Sequence, residues 1–215
     1  MTSSVRPTRE QDGLRIRRGT LADLAGMLAL HHTIFTPETN LLTVFGESVV
    51  RSGYKWFVDS PLTFSIVAEI DGRVVGYCTA CARPYSRRMF VRTMPLILWA
   101  LLRSPRILFF ELKILKRVKE LLRLRRNHNG RRPASSESVA QLGMVAVDAD
   151  YRGRGVATDL LLSVVGECRK RNCRRLRAGV YKRNLPARSR YERLGFVESK
   201  DQETESRIFM ELDLT

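Results

Sequence analysis

The stretch Tyr151-Arg-Gly-Arg-Gly-Val-Ala157 directly follows an apolar run and has the residue types of an anion-binding loop. A glycine-bearing bend between a buried strand and a helix gathers unpaired backbone N–H groups, and the helix N-terminus adds a positive dipole end. Gly153 and Gly155 allow the backbone to turn these amides inward. Arg152 and Arg154 add guanidinium donors suited to phosphate. The stretch therefore predicts a phosphate-binding loop, and a pyrophosphate is the ligand we expect there.

The spacing within this loop decides between known kinds of phosphate site. Neither G-x-G-x-x-G nor G-x-x-x-x-G-K-[ST] is present. The spacing Arg152-x-x-Gly155-x-Ala157 resembles the acetyl-CoA-binding motif of the GNAT superfamily of N-acetyltransferases. The later run Asn184-x-x-Ala187-x-x-x-Tyr191-x-x-Leu194-Gly-Phe196 resembles the second signature of the same superfamily. The resemblance covers residues 139–214 strongly and residues 14–82 weakly.

The resemblance implies acetyl-CoA as the co-substrate and a position for each part of it. The loop amides would hold the pyrophosphate, and the strand that ends at Val147 would pair with the pantetheine arm as a neighbouring strand does. A bulge in that strand would free a backbone N–H, such as that of Val145, to polarise the thioester carbonyl. Asn184 would bond the arm. The coenzyme-binding residues implied in this way are Met144, Val145, Ala146, Val147, Arg152, Gly153, Arg154, Gly155, Val156, Ala157, Asn184 and Ala187.

The resemblance also implies a general acid and leaves the general base open. Tyr191 would protonate the departing thiolate, with packing on the last strand as its alternative role. Gln141 stands where many family members have a glutamate on the fourth strand, and it could at most orient a water. The other candidates are Glu69, Glu137, Tyr181 and either His31 or His32. The histidines also read as surface residues at a helix end, and one of them could instead belong to the apolar face of that helix. Because the amine can lose its proton to solvent, a dedicated base is not required.

The strands and helices that must position these residues are predicted from the spacing of apolar residues and from the turn residues between them. The sequence predicts strands over 14–18, 62–70, 73–82, 139–147, 175–181 and 207–214. It predicts a helix capped at Thr20 with Asp23 in the capping box, one helix from about Leu41 to Phe57, and helices at 156–170 and 184–194. Asp71-Gly72 predicts a hairpin turn. We expect an α/β protein with the GNAT acyl-CoA N-acyltransferase fold, a mixed central sheet flanked by helices.

Length and composition indicate one domain. The 215 residues suit a single GNAT domain over 14–215 after a flexible tail over 1–13. No signal peptide and no run long enough to span a bilayer is found, so we expect a cytoplasmic protein. Its four cysteines read as reduced thiols, and no metal site is expected.

A basic helical insertion is predicted between the third and fourth strands, over residues 84–136. Residues 83–132 contain fifteen Lys or Arg and two acidic residues, so most of the net charge of +16 lies there. Three readings stay open. The insertion is a packed helical cap or acceptor-site lid, or residues 86–126 bind an anionic membrane surface as a peripheral anchor at the inner face, or it binds nucleic acid, which we consider the least favoured.

We predict an acetyl-CoA-dependent N-acetyltransferase that acetylates a primary amine of a small molecule, such as an amino sugar or a membrane-associated acceptor. One alternative is a protein lysine or N-terminal acetyltransferase. Another is a non-catalytic acyl-CoA-binding module that docks on membrane or nucleic acid. Monomer and homodimer both stay open.

Overall fold

A computed structural model describes residues 13–37, 39–82, 94–100, 102, 138–199 and 206–215. These residues form a seven-stranded sheet with the strand order β1-β2-β3-β4-β5-β7-β6. The strands are β1 (Arg15–Arg18), β2 (Thr63–Ile70), β3 (Arg73–Cys81), β4 (Val139–Val147), β5 (Arg175–Tyr181), β6 (Val197–Ser199) and β7 (Arg207–Asp213). The helices are α1 (Leu24–Ile34), α2 (Leu41–Val44), α3 (Glu47–Asp59), α4 (Val156–Lys170) and α5 (Leu185–Arg193), with short 3₁₀ turns at Leu21–Asp23 and Ala149–Tyr151.

The sheet is mixed because one neighbouring pair differs from the rest. β4 and β5 run parallel, and every other pair is antiparallel. The connection between the parallel strands contains α4, as a parallel crossover requires. The prediction of a mixed sheet flanked by helices is confirmed.

Two apolar layers cover the two faces of this sheet. On the back face, α4 and α5 pack on a core that includes Leu160, Val164 and Tyr191. On the front face, α1 and α3 pack on a second core that includes Met27 and Tyr54. Alternate residues of each strand contribute to the two layers, as the pleat requires.

Local signals in the sequence account for the turns around β1 and β2. Asp71 and Gly72 both adopt positive φ, 48° and 76°, which is the conformation of a tight hairpin turn with this residue pair. Asp23 accepts the Thr20 N–H at 2.7 Å, which confirms the capping box. Asp23 is also buried against Arg17, and this guanidinium holds the pKa of the carboxyl below its usual range. The ion pair therefore ties the first helix to β1.

Three details of the fold differ from the sequence-based predictions. The single helix predicted from Leu41 to Phe57 is wrong, because Gly46 adopts φ 88° and separates α2 from α3. The short edge strand β6 was not predicted, since its three residues are too few for a period-2 pattern. Of the predicted insertion, only residues 94–100 and 102 are described, and they are helical. The predicted tail lies outside the described residues, except for Gly13 in a turn.

Candidate active site

The predicted phosphate loop forms an open cradle of backbone amides at the end of β4. Gly153 and Gly155 have φ values of 79° and 89°, and Gly155 is the N-cap of α4. The amides of residues 153–157 donate no hydrogen bond to any described residue, whereas the next two amides, of Thr158 and Asp159, bond to Gly155 O. A Cβ built at either glycine would meet no protein atom within 4 Å. Five successive free amides at a helix N-terminus are suited to an anion such as a diphosphate.

The two arginines of the loop have different roles in the structure. Arg152 donates from Nε to the Val147 carbonyl at 3.2 Å, which fastens the loop to the end of β4. The Arg154 guanidinium lies 5.4 Å from the centre of the Tyr151 ring and is exposed. Both cations flank the cradle, so the local charge suits a phosphate ligand.

A bulge interrupts β4 near its middle. Cys78 pairs with Val145 and Ala80 pairs with Leu142, so Thr79 alone faces the two residues Gly143 and Met144. The Met144 N–H donates to the Thr79 side-chain hydroxyl at 2.8 Å instead of to the β3 backbone. Bulges of this kind redirect the groups that follow them and occur beside active sites.

The alternation of backbone amides along β4 shows where the Val145 N–H, the first amide after the bulge, points. Asp148 N–H donates to Val75 O on β3. Amides on a strand alternate between its two edges, so the N–H groups of Val147 and Val145 point away from β3. They face the gap between β4 and β5. This is the position that the resemblance implied for the Val145 N–H.

The gap itself arises because β4 and β5 separate after a short parallel ladder. Within the described residues the ladder ends at the pair Gln141–Arg177, although β4 continues to Val147 and β5 continues to Tyr181. The opening widens toward the amide cradle and is narrow at Gln141. An extended ligand arm could therefore use the free edge of β4 as a neighbouring strand would.

Tyr191 lies on α5, buried on the back-face side of this gap. Its ring packs on Phe196 with centroids 5.2 Å apart. Burial raises the pKa of Tyr191 above its usual range, and the nearby Cys78 thiol raises it further, while Arg190 lowers it. No hydrogen bond to the Tyr191 hydroxyl is found among the described residues. The phenol is thus protonated at neutral pH, unengaged, and close to the strand position that pairs with Val145.

Asn184 and Ala187 begin the helix that carries Tyr191. Asn184 is the N-cap of α5, and its side-chain oxygen accepts the Ala187 N–H at 3.2 Å. Asn184 is exposed, so its amide nitrogen is accessible from solvent. Ala187 packs against the back-face core, where a small side chain lets the helix approach the sheet.

The candidate bases are distributed over several parts of the fold. Gln141 lies at the narrow end of the gap and has contacts of its own. Glu69 is not brought to the bulge. It pairs with Arg17 through two hydrogen bonds, and it lies four residues, or about 13 Å, along β2 from the residue opposite Thr79. Glu137 lies outside the described residues.

Two more base candidates have structural partners. Tyr181 donates its hydroxyl to the Thr39 carbonyl at 3.1 Å and accepts from Arg207 at 2.6 Å. His31 is fully buried, so its reading as a surface residue is wrong and its alternative place on the apolar face of the helix is confirmed. His32 beside it is exposed. His31 Nδ1 lies 2.8 Å from the Tyr54 hydroxyl, and its Nε2 lies 2.8 Å from the Thr43 hydroxyl. These partners explain how an imidazole is tolerated in the front-face core.

Acidification is expected to destabilise the fold through His31. Burial, aided by His32, lowers the pKa of His31 from 6.5 to about 4. The unfolded chain therefore takes up this proton at higher pH than the folded chain, and stability is lost as pH falls from about 6.5 toward 4. The loss of unfolding free energy should reach roughly 3 kcal/mol at most.

Urea unfolding at pH 7 and pH 4.5 measures this loss, and His31→Gln should lose less unfolding free energy on acidification than wild type. His32→Gln is the comparison variant and should keep most of the acid loss, because burial is the larger cause of the shift and His32 the smaller one. An equal acid loss in all three proteins would contradict the assignment.

Sequence reasoning missed a set of residues that fixes the bulge. Thr79, Asn40 and Tyr54 all reach Met144, and the nearest of them lies 65 residues away in the sequence. A threonine in a strand and an asparagine before a helix carry no signal of such a contact. Only the alternation of faces along β3 could have placed Thr79 on the front side.

Comparison with known proteins identifies the family. The sequence profile of the acetyltransferase (GNAT) family matches residues 29–196. The chain belongs to the GNAT acetyltransferase family. Acyl transfer to an amine is the reaction of this family, and acetyl-CoA is its general co-substrate. No curated protein matches the chain significantly.

Solved structures of other GNAT proteins share the fold. The ribosomal-protein-alanine N-acetyltransferase from Brucella melitensis is 20% identical, with a TM-score of 0.56, over 93% of this chain and 99% of that chain. The GNAT domain of S. lividans PAT is 16% identical, with a TM-score of 0.59, over 93% of this chain and 90% of that chain. An N-acetyltransferase from Staphylococcus aureus Mu50 is 17% identical, with a TM-score of 0.53, over 94% and 99%. At these identities the similarity shows the fold alone.

The described residues were also compared with the requirements of a membrane-spanning helix and of a metal site. None of their helices is both long enough and apolar enough to cross a bilayer. The same part of the chain contains no group of three or more His, Cys, Asp or Glu arranged to hold a metal ion. Its four cysteines are buried, and burial raises the pKa of Cys78 and Cys168.

Proposed function

We propose that the protein is an acetyl-CoA-dependent N-acetyltransferase that acts on a primary amine of a small molecule. The observation that carries the proposal is the cradle of free amides at residues 153–157, open at the wide end of the β4–β5 gap. Acetyl-CoA supplies the activated acetyl thioester. The loop holds its diphosphate, and the free edge of β4 aligns its arm.

The remaining groups act at the narrower part of the gap. The Val145 N–H is the donor that polarises the acyl carbonyl, and it needs no reorganisation because the bulge fixes it. Tyr191 holds a proton for the sulfur that leaves, and its buried phenol cannot lose this proton to bulk water near neutral pH. No dedicated base is proposed, since the partners of Glu69 and His31 give both residues structural roles.

A compact acceptor is favoured by a connection that crosses the front of the gap. Thr39 accepts a hydrogen bond from Tyr181 of β5, and its neighbour Asn40 donates to Met144 of β4. Thr39 and Asn40 are therefore fastened to both strands, and they narrow the approach to the bulge. Protein amines form the second candidate class, since one fold neighbour is a ribosomal-protein-alanine N-acetyltransferase.

Thiol release from acetyl-CoA tests the proposal. The panel should contain amino sugars, polyamines, aminoglycosides and peptides with a free N-terminus or lysine, with mass spectrometry of the products. Acetylation of a small amine supports the proposal, and acetylation of peptides alone moves the assignment to the protein class. Binding of acetyl-CoA without turnover of any acceptor would favour a non-catalytic module.

We also propose that residues 86–126 dock the enzyme on an anionic membrane surface. Leu98 and Trp99 are 52% and 54% exposed, and Leu102 is 83% exposed, in a segment surrounded by basic sequence. Apolar side chains beside many cations suit an interfacial site on acidic lipids.

Vesicle sedimentation tests this docking. Binding to vesicles that contain phosphatidylserine should exceed binding to phosphatidylcholine vesicles and should weaken with salt. The double variant Leu98→Ser, Trp99→Ser should lower it about 10-fold or more, because two apolar side chains are lost. Leu162→Ser is the matched control, since Leu162 is also 52% exposed but lies on α4. Equal binding of all three proteins would rule out docking through this segment.

A further inference from the structure

The side chain of Met144 is held at its sulfur by two hydrogen bonds. Asn40 Nδ2 donates to Met144 Sδ at 3.2 Å, and the Tyr54 hydroxyl lies at the same distance and also donates. Methionine is ordinarily a flexible side chain, and its thioether is a weak acceptor. Two donors on one sulfur therefore restrict a side chain that would otherwise adapt its shape to its neighbours.

The donors are themselves fixed in the front-face core. Tyr54 is fully buried, and its hydroxyl also contacts His31 at 2.8 Å and the hydroxyl of Tyr77. Asn40 caps α2, because its side-chain oxygen accepts the Leu42 N–H at 2.9 Å. The position of the Met144 sulfur is thus set by two different helices, α2 and α3.

Met144 lies beside the point where the acyl group would be held. It is the second residue of the bulge, and the next amide, that of Val145, points into the gap. Beyond this amide the gap narrows until β4 and β5 join at Gln141 and Arg177. A group bound at the Val145 N–H therefore has the narrow end of the gap ahead of it and the Met144 side chain on its front side.

We propose that the fixed Met144 side chain sets the length of the acyl group and limits the donor to short chains such as acetyl. This inference rests on the proposed function. Each added methylene must displace a side chain that two hydrogen bonds restrain, or else enter the narrow end of the gap. Discrimination at such a pocket is about 10- to 200-fold per methylene. Asn40 is a positioning residue, since it acts through Met144.

The test is the ratio of kcat/KM for butyryl-CoA to that for acetyl-CoA, measured with one acceptor. Wild type should prefer acetyl-CoA by about 100-fold or more. Met144→Ala should raise the ratio at least 10-fold. Met144→Leu keeps the volume but lacks the sulfur that the two donors hold, so it should raise the ratio several-fold, less than Met144→Ala does. Asn40→Ser keeps a helix-capping hydroxyl but cannot hold the sulfur, so it should raise the ratio several-fold. Leu162→Ala is the control and should match wild type.

The outcomes separate this inference from the proposed function. The inference is overturned if wild type uses butyryl-CoA as well as acetyl-CoA, or if folded Met144→Ala and Asn40→Ser both keep the wild-type ratio. If no acceptor is turned over, the dissociation constants for acetyl-CoA and butyryl-CoA, measured by calorimetry, give the same comparison. Failure to bind any acyl-CoA would instead contradict the proposed function.

Discussion

Replacing Tyr191 with phenylalanine is expected to lower kcat by about 10²- to 10⁴-fold, the usual contribution of a general acid. The dissociation constant for CoA should change little, because the loop and the edge of β4 hold the coenzyme. Stability should also change little, since the hydroxyl has no hydrogen-bond partner among the described residues. Steady-state kinetics, calorimetry with CoA and urea unfolding measure the three quantities.

Two further measurements make this prediction specific. The raised pKa of Tyr191 means that deprotonation of this group should not reduce the rate as pH rises through about 10, the ordinary tyrosine value. Tyr181→Phe is the comparison variant, because Tyr181 is a second tyrosine beside the gap, at the end of β5, and its hydroxyl has structural partners. An unchanged kcat in Tyr191→Phe, or a larger fall in Tyr181→Phe, would assign the acid to another group.

The parts of the fold that sequence could predict are those with strong local signals. The bounds of β4 and β5 and the span of α4 agree with the predictions, because apolar residues at the spacing of a strand or of a helix end at turn residues there. Gly195 ends α5 with φ 86°, a conformation that favours glycine. Two motifs of fixed spacing predicted the positions of the amide cradle and of the helix that carries Tyr191.

The parts that sequence could not predict depend on contacts between distant residues. The bulge is fixed by Thr79 and Met144, and the sulfur of Met144 by Asn40, 104 residues away. The sequence left open whether His31 is a helix-end surface residue or part of the apolar face of α1, and only the packing of α3 beside α1 gives it a buried phenol partner. The apolar residues of 41–57 keep helical spacing on both sides of Gly46, so periodicity alone predicted one helix where the structure has two. These are tertiary effects that local propensity does not contain.

Replacing Gly155 with alanine is expected to weaken CoA binding by about 100-fold. Gly155 adopts φ 89°, so alanine must either accept a strained backbone or rotate the amides of the cradle. A lost charge-assisted hydrogen bond costs about 1.5 kcal/mol of binding free energy. Two such losses correspond to a dissociation constant about 100-fold higher, since about 1.4 kcal/mol changes it tenfold. Because a Cβ here would meet no protein atom within 4 Å, a clash with the protein cannot explain the loss. Calorimetry with CoA measures it.

Gly46→Ala is the matched control for backbone strain. Gly46 also has a positive φ, 88°, is also the N-cap of a helix, and also has no atom within 4 Å of a built Cβ. Its ψ of 174° lies in a region that is even less accessible to alanine, so this variant should lose at least as much stability, about 1–3 kcal/mol. Yet it should bind CoA as wild type does, since Gly46 lies outside the loop. If both variants lost affinity in proportion to stability, strain would account for the effect and the cradle would not be the diphosphate site. If only Gly155→Ala lost affinity, the free amides at the start of α4 would be the groups that bind the coenzyme.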